Sequence, residues 1–143
     1  MRDSNERLDL SAPEPASTLS LVANGSAGPW AVEIDETTSG EQRWLIQIEG
    51  AVCDLSFEVP SPAVVDTVLG FFEQQTLEEV AVGFSGSCAV KLLRDGEYPD
   101  RCFFVIGAST SPVVRIPLAG TDLSLLAEAF CQVRQDLAES GLL

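Results

Sequence analysis

Between Trp30 and Val59 the chain alternates apolar and polar side chains in three successive runs. Trp30, Val32 and Ile34 share one parity, and Glu33 and Asp35 the other. Trp44, Ile46 and Ile48 oppose Gln47 and Glu49, with Leu45 off the pattern. Cys53, Leu55, Phe57 and Val59 oppose Asp54, Ser56 and Glu58. Period two is the signature of strands with one covered and one wet face, and a one-residue slip would bury the carboxylates, so the register is strongly specified. Ser61-Pro62 then reads as the N-cap and first position of a helix. Val64, Val65, Val68, Leu69 and Phe72 form its apolar stripe, which fades by Gln75-Thr76.

Four more strands are expected at 79–84, 88–93, 101–107 and 112–118. Their alternation degrades: Phe103 and Val105 oppose Phe104 and Ile106, and Leu93 opposes Leu92. Both faces of this group are apolar and both call for cover. One face takes the first sheet or a helix, and the other suggests a subunit interface through Leu93, Phe103 and Val105. Thr121-Asp122 caps a final helix with Leu123, Leu126, Phe130, Val133 and Leu137 in line, and Gly141 ends it. Residues 1–28, rich in Ser, Ala, Pro, Asn and Gly, read as a flexible tail. Within it, Thr18 to Val22 alternates briefly enough to dock as an edge strand. A single domain over 29–143 follows. The fold class is α+β: antiparallel sheet with two amphipathic helices.

Charge sharpens the picture. The chain has 143 residues and a formal net charge of −14, with 22 acids against 8 bases. Eleven of the acids and only one base, Arg43, lie between Trp30 and Glu79. Such a surface repels phosphate backbones and anionic lipid and attracts basic partners or cations; solubility or adaptation to a salty interior would produce the same balance. The four cysteines, at 53, 88, 102 and 131, include no CxxC pair. With histidine absent, the reading is buried reduced thiols rather than a metal site or disulfides. Neither a signal peptide nor a run of membrane-helix length is seen, which gives a cytoplasmic expectation.

Candidate chemistry is thin. Gly83 to Ser87 brushes against a nucleophile-elbow pattern, but serine stands at its fifth position and no histidine is available to activate Ser85. Asp95, Glu97 and Asp100 share one loop without the ligand spacing of an EF-hand, and Asp-Gly followed by Pro99 suits a turn better than a cation. Carboxylates on an open sheet face are expected to keep ordinary pKa values, whereas a general acid needs burial or a close like charge. No cofactor or metal is expected.

Arg43 to Gly50 parallels Arg101 to Gly107, each followed by a strand and a capped helix. With residues 18–23 counted as a strand, the chain reads as four strands and a helix, twice over. That arrangement resembles the whirly-type single-stranded-DNA-binding proteins over most of residues 18–140. The likeness is topological, without a shared motif, and no residue is carried over from it. It implies binding of single-stranded nucleic acid, for which Lys91, Arg94, Arg101 and Arg115 would have to converge. The acidic balance favours another expectation: a non-enzymatic adaptor whose Glu33, Asp35, Glu49, Asp54 and Glu58 meet a basic protein, and which also forms a homo-oligomer. A carboxylate- or cation-dependent enzyme is the third reading.

Overall fold

The computed structural model describes residues 8–10, 19–38, 41–50, 53–108 and 111–143. Its elements, in order, are β1 (Leu8–Leu10), β2 (Leu19–Ala27), β3 (Trp30–Thr37), β4 (Trp44–Glu49), β5 (Cys53–Val59), α1 (Val64–Glu73), β6 (Glu79–Ser85), β7 (Cys88–Arg94), β8 (Cys102–Ala108), β9 (Ser111–Leu118) and α2 (Gly120–Glu139). The class is α+β with an antiparallel sheet. β2 to β9 lie side by side in chain order, and β1 adds to β5 in parallel. Consecutive antiparallel strands need only short turns. The first of these is Gly28-Pro29, where Gly28 at φ 56° supplies the positive dihedral that a tight hairpin requires.

The seven strands expected from Trp30 onward all form, each within about two residues of its expected ends. The segment read as a tail contributes β2, paired along β3 from Leu19↔Thr37 to Ala27↔Trp30. One side of β3–β5 is dry as the alternation requires: Val32, Ile34, Ile46, Ile48, Leu55 and Phe57 are all buried. β5 and β6 meet through a single register pair, Glu58↔Phe84. Across this seam the sheet curls, because Phe57 on β5 and Phe104 on β8 stand three strands apart yet bring their rings to 6.2 Å.

Both helix starts differ from expectation. α1 begins at Val64, not at Ser61-Pro62. Ser61 Oγ accepts from the Ala63 amide at 3.2 Å, and the Ser61 carbonyl accepts from Val64, so a tighter turn precedes the helix. α2 begins at Gly120 with no side-chain cap. Asp122 is drawn away instead, accepting from the Trp30 indole Nε1 at 3.2 Å. The far end follows the pattern: Gly141 at φ 77° lets the Leu142 amide reach the Leu137 carbonyl at 2.8 Å and Gly141 reach Ala138 at 3.1 Å.

α2 packs against β2 and β3 through Leu126, Ala129, Phe130, Val133 and Leu137. It approaches closely because residue 25 is glycine: a Cβ there would stand 2.2 Å from the Ala129 carbonyl oxygen. The same helix closes the border of the sheet. Asp136 accepts from the Asn24 amide at 3.1 Å, and the Gln132 side chain both accepts from Ser26 N and donates to Ser26 O at 2.9 Å. Edge amides that would invite another chain are thereby occupied. The opposite border, β9, contains Pro112 and Pro117, which cannot donate to a neighbouring strand.

Candidate functional site

The register places the five singled-out acids on one face of β3–β5. One cross-strand row runs Asn24, Glu33, Gln47, Ser56; the next runs Leu21, Asp35, Leu45, Glu58, Phe84; a third runs Ser26, Ala31, Glu49, Asp54. Leu45, the residue off the alternation, therefore lies between Asp35 and Glu58 and is buried.

The five are not equally available. Asp35 is only 3% exposed and accepts a hydrogen bond from the Gln47 amide. Asp54 is 6% exposed and engaged within the chain. Glu33 is half-buried, Glu49 is exposed, and Glu58 faces Arg43 Nη1 at 3.7 Å across an open surface. Three carboxylates of the five thus reach solvent.

Their protonation also departs from the expected ordinary behaviour. Burial pushes the Glu33 carboxyl above the usual carboxylate range, and the adjacent negative charge of Asp35, a hydrogen bond to it and the charge of Glu49 add to the shift. Burial raises Asp35 as well, outweighing the hydrogen bonds from Gln47 and Glu33 that favour its ionised form. Glu33 and Asp35 therefore hold a proton more readily than isolated carboxylates, with Glu33 as donor.

Beside this pair lies a hollow of about 260 Å³, lined by Asn24, Ser26, Ala31, Glu33, Gln47, Glu49 and Gln132. Its wall mixes hydrogen-bonding and apolar surface, with Gly25 and Val32 also lining it, and carries the Glu33 and Glu49 carboxyls. A second hollow of about 290 Å³ at the seam is more apolar, bounded by Trp44, Val59, Pro60 and Phe84 with the Arg43–Glu58 pair at its rim. Phe84 is 56% exposed there.

The bases do not converge. Arg94 faces the core side of β7 beside Leu92 and is spent on structure. Its guanidinium lies 4.3 Å from the Phe71 ring centroid and donates to the carbonyls of Phe71, Gln74, Leu77 and Pro99. α1 has no basic residue in its last turn, so a strand distant in sequence supplies the cation its C-terminus favours. Arg101 binds one oxygen of Asp95 through Nε at 2.9 Å and Nη2 at 2.8 Å. The other oxygen accepts from the Glu97 and Tyr98 amides. These backbone bonds, followed by Arg101, hold the Asp95 carboxyl below its usual range, so the loop carboxylate closes a turn. Only Lys91 and Arg115 share a sheet face, the outward one of β7–β9.

Leu93, Phe103 and Val105 occupy that same face: Leu93 pairs with Phe103, and Val105 with Lys91 on one side and Arg115 on the other. Leu93 and Phe103 are half-buried, whereas Val105 is 4% exposed in the single chain. Of the described cysteines, Cys102 is buried and its thiol is pushed up to about 11 by desolvation; Cys88 is half-buried. Cys131 is exposed on α2, contrary to the expectation of burial. No family model, curated protein or solved structure matches the chain. No described helix is long and apolar enough to cross a membrane.

Proposed function

We propose that the chain is a non-enzymatic, acid-faced adaptor, acting in the cytoplasm, that engages a basic protein through the outward side of β3–β5. The observation that carries this reading is the register, which gathers Glu33, Glu49 and Glu58 at the surface of one sheet face above the buried Asp35 and Asp54. Fields from several like charges on one low-dielectric face add, and they speed and orient the approach of an oppositely charged partner. The hollow beside Glu33 and Glu49 is a seat for one arginine or lysine head, and a cation entering it offsets the burial, and after it the negative charge of Asp35 and Glu49, that raise the Glu33 carboxyl.

The test is binding of a labelled nona-arginine peptide by fluorescence anisotropy, comparing Glu49→Lys/Glu58→Lys with a charge-matched control on α2, Glu128→Lys/Glu139→Lys. The reading expects the face variant to lose at least about tenfold in affinity and the α2 control to lose much less, both effects shrinking in high salt. Equal losses in the two variants remove the face from the account. With β1 set aside, the element order, β2 to β5 with α1 and then β6 to β9 with α2, supports reading the fold as a duplicated unit of whirly-like arrangement. Single-stranded nucleic-acid binding gains nothing from it, since two of the four required bases are spent on internal partners.

A further inference from the structure

The outward face of β6–β9 carries two register rows that cross all four strands, and beyond them the exposed Phe84 beside Ala89. One runs Glu79, Leu93, Phe103, Pro117, and the other Ala81, Lys91, Val105, Arg115. Its middle is apolar. One border strand carries an acid and the other a base, and Lys91 leans toward Glu79 at 3.8 Å. Arg115 lies over the Phe103 ring at 4.5 Å, so an exposed cation rather than another element of the chain covers that ring. With two bases and one acid, the patch reverses the sign of a chain at −14.

We infer that this face pairs with the same face of a second copy across a two-fold axis running along the strands. Such an operation sets β6 of one copy over β9 of the other, and each β7 over its partner's β8. Glu79 of each copy then lies over Pro117 of the other, one row along from the partner's Arg115 and within reach of that long side chain, twice, while Leu93 of each lies over Phe103 of the other. An isologous contact requires a patch complementary to itself, and acid at one border with base at the other meets that requirement. Copies of so acidic a chain repel one another over most of their surface, and this is where the repulsion is reversed. A basic partner would meet Lys91 and Arg115, and a nucleic acid would meet the net charge. Val105 is already covered in the single chain and adds little to the contact.

The contact is small. Four strands about 4.8 Å apart and seven residues long give a footprint on the order of 450 Å² per copy, about half that of a standard interface. The dimer is therefore weak and reversible, with a dissociation constant on the order of 100 µM. Sedimentation velocity from about 5 to about 500 µM, a span bracketing that constant, tests it. The wild-type mass should rise toward the dimer, Glu79→Arg and Arg115→Glu should each weaken association at least about tenfold, and the double exchange should restore it. Within one chain these residues are three strands apart, about 14 Å, so rescue reports a contact between copies. Far-UV circular dichroism and urea midpoints establish that each variant is folded; if Arg115→Glu is not, Arg115→Gln replaces it, and it should weaken the dimer in the same direction. A wild-type monomer at every concentration, a dimer indifferent to either reversal, or a double exchange that fails to restore it overturns the inference.

Discussion

Replacing Arg94 should cost more than replacing any other base among the described residues, because this residue ties together parts that sequence keeps apart. Its guanidinium bonds the end of α1, the segment leading into β6 and the loop before β8. The bond to the Phe71 carbonyl is part-buried, and losing a charged donor there costs about 2 kcal/mol. The other three bonds are exposed and largely replaced by water, together about 1 kcal/mol. The stacking over Phe71 adds about 0.5–1 kcal/mol. Arg94→Ala should then lose about 3–4 kcal/mol in urea unfolding, a shift of about 1.5–2 M in midpoint for a chain of this size. Arg94→Lys should lose roughly half, since an ammonium keeps the charge but cannot form the planar fork. Hydrogen exchange should localise the damage to the last turn of α1 and residues 95–100. A loss below about 1 kcal/mol for Arg94→Ala, or exchange raised uniformly over the sheet, would refute the idea that one side chain holds this junction.

Other outcomes follow from the same geometry. Because the folded state raises the Glu33 and Asp35 carboxyls, their contribution to stability is fully present below their unfolded values and lost as pH rises through the folded ones. Glu33→Gln should therefore be more stable than wild type at pH 7, with the gap closing toward pH 4 in urea melts; a gap that widens on acidification contradicts the burial argument. Gly25→Ala should lower stability by about 2–3 kcal/mol, since its Cβ meets the Ala129 carbonyl rather than a flexible side chain; a neutral result would mean α2 is less closely seated than described. Gln132→Ala should cost about 1–2 kcal/mol and raise aggregation in light scattering, because it frees the Ser26 edge of the sheet. A thiol reagent should modify Cys131 quickly and Cys102 only on unfolding, as mass spectrometry of the labelled peptides would report.

Much of the fold was readable because strand alternation and helical spacing are local signals. The buried sets Val32–Ile34, Ile46–Ile48 and Leu55–Phe57 fall where parity puts them, and the seven strands from β3 to β9 were found, whereas β1 lies in the segment read as a tail. The helix starts were not, because Asp122 answers to Trp30, a partner 92 residues away. Parity could place five acids on one face but not say which of them are covered, since burial of Asp35 and Asp54 depends on what surrounds each row. Leu45, the one large apolar side chain on that face of β3–β5, was the available hint that the face is not uniformly wet. For Arg94 a usable sign existed: it shares parity with Leu92, so it points inward, and an inward arginine needs carbonyls or carboxylates to meet it. Nothing in the sequence marked Gln132 and Asp136, polar positions beside an apolar stripe, as guards of a strand edge.

The dependence of β2 and β3 on α2 sets an order of events at synthesis. A nascent chain delivers β2 to β5 first, and the helix that roofs Ala23, Trp30, Val32 and Ile34 follows only after α1 and β6 to β9 have been made. Until it arrives, the N-terminal strands have an open apolar side and an unguarded border. Final closure must then bridge about a hundred residues, a slow step of the kind that long-range contacts impose.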